Sequence, residues 1–342
     1  MRALVKYAEG PGNVELREVP EPELGPGQVM VRVGAAGICG TDRAAIEGHH
    51  DFHVPRILGH EISGVVTEVA PGADTTVEPG DRVALETDAY LCGVCPYCRV
   101  EEANRCPNRL GIGTTTDGGM AEWIAIRAPA VHKLPGNLPI EAGALVEPLA
   151  IAVHTVLERG APIAGEVVVV TGPGALGLLC AQVARAAGAT VILVGRARHA
   201  ERLALARSLG IGHAVDGDAT DVAGLTRELS DGAGASAMFE TSGGAGVLEG
   251  APVWLRKGAR VVLAGFFRSP PVLDIDRLIN AELEVAGARG KKPSSYRRGL
   301  RLLDEDQVQL QPLITDHPPL TEWRRGLELM GGGSKVVFDL SG

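Results

Sequence analysis

Four of the six cysteines stand as Cys92, Cys95, Cys98 and Cys106 in the order CxxCxxCx7C within LCGVCPYCRVEEANRC. Thiolates at these spacings can converge from one loop on a tetrahedral ion and leave no coordination position open, which describes a structural zinc and not a reactive one. A redox CxxC pair or four incidental thiols would leave the spacing unexplained. Cys39 and Cys180 stand apart from this group.

A second set of metal ligands is spread further along the chain. Cys39 lies in GICGTD, and His60 and Glu61 lie in GHE, each at or just beyond the end of an expected strand. One thiolate, one imidazole and one carboxylate make three ligands and leave room for water or substrate, as a catalytic zinc requires if it is to lower the pKa of a bound hydroxyl. A lone cysteine or histidine would read as a packed or hydrogen-bonded core residue, so the companion motifs carry the assignment. Thr41 and Asp42 follow the cysteine directly. A hydroxyl beside the metal can relay the alcohol proton, and a carboxylate can orient a ligating imidazole; alternatively, one of the two caps the short helix expected over 43–47. His49 and His50 read as an exposed loop pair that could extend such a relay.

The third constellation is Gly172-Pro173-Gly174-Ala175-Leu176-Gly177, which follows the apolar run Val167–Val170 and opens an alanine-rich helix. In that context Gly172 makes the tight turn, Gly174 lets the backbone approach a pyrophosphate at the helix N-terminus, and Gly177 allows the helix to pack on the strand. About 20 residues further on, where an acid would hold the ribose hydroxyls of NAD, the chain reads Gly195-Arg196-Ala197-Arg198. A small residue flanked by arginines leaves space and charge for a 2′-phosphate and favours NADP, with NAD held by backbone as the alternative.

Elements able to position these groups are visible in the hydrophobic pattern. The first third alternates in short bursts, Val14–Val19, Val29–Val33, Val65–Val69 and Arg82–Leu85, between Pro/Gly-rich turns, as in an antiparallel β domain. Beyond about residue 152, apolar runs alternate with Ala/Leu-rich helical stretches, the signature of βαβ units with a parallel sheet. Leu283–Ala286 reads as a last strand of that sheet, 295–303 and 320–330 as helices, and Lys335–Leu340 as a strand returning to the first domain.

The motif set resembles that of the zinc-containing medium-chain dehydrogenases, most closely the sorbitol (L-iditol) and threonine dehydrogenases, from Val29 through Lys335. The resemblance implies an α/β protein with a GroES-like β-rich catalytic domain (1–152 and 285–342) enclosing a Rossmann doubly wound parallel sheet (153–284). It implies that Cys39 and His60 bind catalytic zinc, with Glu61 a direct or switchable ligand. Glu147 of Glu147-Pro148-Leu149 then contacts the zinc directly or through its water; the residues alone fit a helix start with proline at its first position equally well. The resemblance gives Thr41 the proton relay and Asp42 the support of His60. It puts the adenosine ribose near Arg202 and the nicotinamide near Ala264, Gly265, Phe266 and Arg289. The expected activity is hydride transfer between a secondary alcohol and NADP or NAD, with two zinc ions per chain, in a homodimer or homotetramer acting on a small alcohol or ketone. A threonine-type amino alcohol dehydrogenase and a catalytically silent cofactor-binding protein of the same fold are the alternatives.

Bulk properties agree with this reading. Lys and Arg number 33 against 42 Asp and Glu, for a net charge of -9, so no basic surface for nucleic acid is expected. His199-Ala200-Glu201 imitates part of a deaminase motif, but no PCxxC follows, because Cys180 is the last cysteine. No leader pattern and no apolar stretch of about 18 residues is evident, so a cytoplasmic protein without a membrane partner is expected.

Overall fold

The computed structural model describes residues 1–49, 53–267, 269–330 and 335–341; His50 lies outside them. It divides into two compact units, one of Met1–Glu147, Lys292–Leu300 and Leu310–Gly342, the other of Pro148–Lys291 and Arg301–Gln309. The borders at 147/148 and 291/292 lie near the expected 152/153 and 284/285, but residues 301–309, expected in the first domain, belong to the second unit. The segment 284–287 forms a strand of the second unit's sheet, which moves the second border toward the C-terminus.

In the first unit, β1 (Arg2–Lys6), β2 (Val14–Glu18) and β4 (Arg56–Ile57) form a small sheet, with β3 (Gln28–Gly37) lying between them in sequence. β3 is the backbone of the larger sheet. β5 (Glu61–Val69), β6 (Arg82–Leu85), β9 (Trp123–Arg127) and β10 (Val131–Lys133) join it, while β7 (Asp88–Tyr90) pairs only with β8 (Leu110–Gly111). Val29, Val31 and Val33 of β3 are fully buried, while Met30 and Arg32 between them face outward, the period-2 alternation of a strand with one face on the core. Ile62, Val66, Val83, Leu85, Ile124 and Ile126 complete that core.

The second unit holds a parallel sheet of six strands in the order 3-2-1-4-5-6: β11 (Val167–Thr171), β12 (Thr190–Gly195), β13 (His213–Asp216), β14 (Ala235–Glu240), β15 (Leu255–Leu263) and β16 (Glu284–Gly287). All five residues of β11 are buried, as expected for a central strand covered on both faces. After β17 (Ile314–Asp316), β18 (Lys335–Asp339) pairs antiparallel with β3 and places Val337 opposite Gly37. The returning strand thus lies beside the residues that lead into Cys39.

One expectation is corrected. The helical run Ile140–Gly160 has the length and apolarity of a membrane span, 21 residues with mean hydropathy 1.5, but 78% of that window is buried inside the protein. It is a core helix, and its last seven residues, His154–Gly160, are wound as a π-helix.

Candidate active site

Cys39 sits where β3 has ended and the helix Gly40–Ile46 begins, with extended backbone (φ −96°, ψ 157°). Asp42, at the third helical position, turns one carboxylate oxygen back to accept the Cys39 N–H at 2.9 Å. The other accepts the Gly59 N–H at 3.3 Å and stands 3.6 Å from His60 Nδ1. Asp42 is fully buried, so one carboxylate both caps the helix and faces the histidine. Thr41 Oγ1 lies 3.7 Å from Cys39 Sγ.

Glu61 opens β5 directly opposite Gly37 in β3. A Cβ at Gly37 would stand 2.1 Å from Glu61 Oε2, so only glycine lets that carboxylate lie across the neighbouring strand. One ligand atom each from Cys39, His60 and Glu61 fall within 4.8 Å of one another, and both His60 and Glu61 are buried. His60 Nδ1 is itself buried and makes no hydrogen bond. Burial works against a charge on His60, but the charges of Asp42 and Cys39 outweigh it and hold the ring well above the usual histidine range. A half-buried thiol gathered this closely with a buried imidazole and a buried carboxylate is a donor set suited to zinc.

The sequence reading missed Lys335. Its Nζ donates to Glu61 Oε2 and, at 3.2 Å, to the Ile38 carbonyl oxygen, and only 6% of the residue is exposed. Burial opposes its charge, yet Glu61 and Cys39 outweigh that and raise its pKa. Glu147, buried in the second position of the helix Val146–Val153, is near enough for its charge to act on both Glu61 and Lys335. A lysine heading a strand some 270 residues from its partner carries no local signal; its role follows from the pairing of β18 with β3.

The four sulfurs of Cys92, Cys95, Cys98 and Cys106 also lie within 4.8 Å of one another. The short helix Pro96–Arg99 brings the Cys98 N–H to Cys95 Sγ at 3.4 Å, and Cys106 Sγ approaches Cys92 Sγ to 3.5 Å. Backbone N–H groups of Val94 and Cys95 draw the Cys92 thiol down to about 6. Desolvation and the neighbouring sulfurs push Cys98 up to about 12. Without a cation, a cluster of this kind resists accumulating charge.

In the second unit, Gly172 follows β11 with φ +89°, and a Cβ there would meet Ser242 Cβ at 2.7 Å. Gly177 approaches the Gly172 carbonyl so closely that a Cβ would stand 1.8 Å from its oxygen, whereas nothing lies within 4 Å of Gly174. The helix opened by Ala175 and Leu176 therefore packs tightly on the turn yet leaves its N-terminus open. Beside it is a cleft of about 300 Å³ whose lining includes Gly172, Arg196, Arg198, His199 and Ser242. A Cβ at Gly195 would meet Pro173 and Leu203, both at 3.0 Å. Arg202 is half-buried and its charge acts on His199. Ala264 and Gly265 both donate backbone N–H groups to the Glu240 carbonyl, and the Arg289 guanidinium lies 5.9 Å from the centre of the exposed Phe266 ring.

Residues 25–136 match the alcohol dehydrogenase GroES-like domain family, and residues 175–305 match the zinc-binding dehydrogenase family. A sorbitol dehydrogenase of Halalkalibacterium halodurans is 36% identical over 98% of both chains. An L-threonine 3-dehydrogenase of Pyrococcus furiosus is 36% identical over 95% of both. The crystal structure of a Sinorhizobium meliloti 1021 protein bound to NADP superposes with a TM-score of 0.89 at 32% identity, covering 99% of this chain and 98% of that one. The chain belongs to the zinc-type medium-chain dehydrogenases, and it is a zinc-dependent oxidoreductase of the alcohol and polyol class.

Proposed function

We propose that this enzyme oxidises the secondary hydroxyl of a polyol or sugar to a ketone and passes the hydride to a nicotinamide dinucleotide, NADP in preference to NAD. The observation that carries the proposal is the convergence of Cys39 with the buried His60 and Glu61. Cys39 and His60 would hold the catalytic ion, with Glu61 or Glu147 as the third ligand. Zinc there supplies a Lewis acid that lowers the pKa of the substrate hydroxyl. Thr41 takes the hydroxyl proton and passes it toward solvent, while Asp42 keeps the His60 ring in one orientation. A nicotinamide dinucleotide held by the second unit would supply the hydride acceptor for the carbinol carbon. Cys92, Cys95, Cys98 and Cys106 would hold a second, closed ion, giving two per chain.

The domain of 1–152 and 285–342 carries the chemistry in this reading, and 153–284 carries the cofactor. Gly172 to Gly177 receive the pyrophosphate. Preference for NADP is supported by Arg196 and Arg198 in the cleft, by the NADP-bound relative, and by close packing of Leu203 and Pro173 at Gly195, where a larger side chain would crowd them. Arg202 would then border the adenosine ribose, and Ala264, Gly265, Phe266 and Arg289 the nicotinamide. A homodimer or homotetramer is supported by exposed Val285 on the edge strand β16 and by exposed Val272, Ile275 and Ile279 in the segment that leads to it. A cytoplasmic setting suits six free thiols.

The deciding experiment is a panel of polyols, sugars, threonine and simple alcohols, each followed at 340 nm with NADP and with NAD. The highest kcat/KM is expected with a polyol or sugar and NADP. Turnover of threonine alone would transfer the enzyme to the amino alcohol branch, and no turnover of any compound would leave a silent cofactor binder.

A further inference from the structure

Glu240, the last residue of β14, is fully buried, and among the described residues it forms no ion pair. Its carboxylate is held by donors from the chain that follows and by one from β11. One oxygen accepts the Ser242 N–H at 2.7 Å, the Gly243 N–H at 3.0 Å, the Ser242 hydroxyl, and the Thr171 hydroxyl at 3.4 Å. The other accepts the Gly243 N–H at 3.2 Å. The Glu240 carbonyl takes the N–H groups of Ala264 and Gly265, both at 2.9 Å. Thr241 Oγ1 donates to the carbonyls of Thr171 at 2.7 Å and Gly172 at 3.1 Å.

One residue and its neighbour thus tie together the end of β11, the loop after β14 and the loop after β15. The contacts leave little slack: a Cβ at Gly243 would stand 2.2 Å from the Phe266 carbonyl oxygen, and one at Gly265 would stand 2.8 Å from Glu240 Oε2. Taking a carboxylate out of water is costly, and the donors offset that cost only while the loops keep this arrangement. Ser242 and Gly244 also line the cleft beside Gly172.

We infer that Glu240 is a positioning residue for the dinucleotide. It holds Ser242–Gly244 and Ala264–Phe266 against the glycine turn, so that the cofactor meets a formed groove and does not have to order these loops on binding. This rests on the dinucleotide reading above. Glutamine in its place keeps the size but presents an amide NH2 where Gly243 also donates, setting donor against donor.

The test compares wild type with Glu240→Gln and the milder Ser242→Ala, as zinc-loaded full chains, by NADPH fluorescence titration and by hydrogen exchange of the free proteins. Glu240→Gln is expected to raise the Kd for NADPH at least about tenfold and to speed exchange at the amides of Ser242 and Gly243, with β11 and β12 still protected. Ser242→Ala should move both readouts the same way by about threefold, and carries the test if the glutamine variant does not fold. A Kd within twofold of wild type, or faster exchange spread equally over β11, β12 and β14, overturns the inference. A wild-type protein that binds neither NADPH nor NADH overturns the cofactor reading itself, and this inference with it.

Discussion

Lys335 pairs with Glu61 in the interior of the first unit, so the carboxylate grouped with Cys39 and His60 as a candidate ligand already faces a cation of the protein's own. That restrains Glu61 from ligating a metal at full strength and keeps Glu147 open as the third ligand. Removing one member of a buried pair strands the other, at a cost of about 3–5 kcal/mol. Lys335→Met should therefore destabilise the zinc-free protein by about that much in urea unfolding. Zinc should restore most of the loss, because the freed carboxylate can then face the ion. Equal destabilisation with and without zinc would argue that Glu61 never turns toward the metal.

The Asp42 carboxylate serves Cys39 with one oxygen and His60 with the other. Cys39→Ser should abolish turnover while NADPH binding stays measurable. Asp42→Asn should keep the fold but weaken zinc retention or activity by about 10–100-fold, the usual cost of losing a group that orients a ligating histidine. Dialysis against graded chelator, with zinc counted by mass spectrometry, separates loss of metal from loss of rate. Undiminished turnover in Cys39→Ser would remove that residue from the site.

The four-thiol loop buries little apolar surface, although Lys292 pairs with Glu102 at 3.1 Å. Between Cys92 and Cys106, Ala103 is the one buried apolar residue apart from Cys106 itself, while Val94 and Val100 are exposed. Arg109 ties the base of the loop to Asp88 and, at 2.8 Å, to Thr87. With so little burial there, a bound metal would add substantially to the order of the loop. Cys98→Ser should reduce zinc from two ions to one per chain, and proteolysis should then cut within residues 92–106. Retention of both ions would show that the cluster is not a metal site.

Much of this was legible because the signals are local. The alternation of Val29, Val31 and Val33, the apolar run Val167–Val170 of β11, the glycine turn and the cysteine spacing each express their meaning within about fifteen residues. Lys335 and Glu240 were not legible in this way. Lys335 matters because β18 lies against β3, and Glu240 because two loops fold back on it; both relationships exist only after long-range pairing. The run 140–160 owes its apolarity to burial in the core. Asp42 shows why two readings of one residue need not compete, since its two oxygens let it cap a helix and face a histidine at once.

His199 offers a test of cofactor preference through pH. Its ring meets a donor at each nitrogen, the Arg196 N–H at Nδ1 and Arg198 Nε at Nε2, both at 3.2 Å, although a neutral imidazole has only one acceptor. Partial burial, then the charges of Arg202, Arg198 and Arg196, lower its pKa below 6.5, with Asp216 opposing them. A 2′-phosphate among these groups would favour the imidazolium, so the pKa rises on binding and a proton is taken up. Between the free and bound values, affinity for NADPH then increases as pH falls. The phosphate's own protonation near pH 6 works the other way but is common to all variants. His199→Asn cannot take up this proton, so its Kd for NADPH relative to wild type should grow from about pH 8 to about pH 6, by up to about tenfold for each unit by which binding raises the pKa. With NADH, which lacks the 2′-phosphate, the ratio should stay constant. A pH-dependent ratio for both cofactors would place the effect on the fold of the β12 loop, and a constant ratio for both would remove His199 from cofactor recognition.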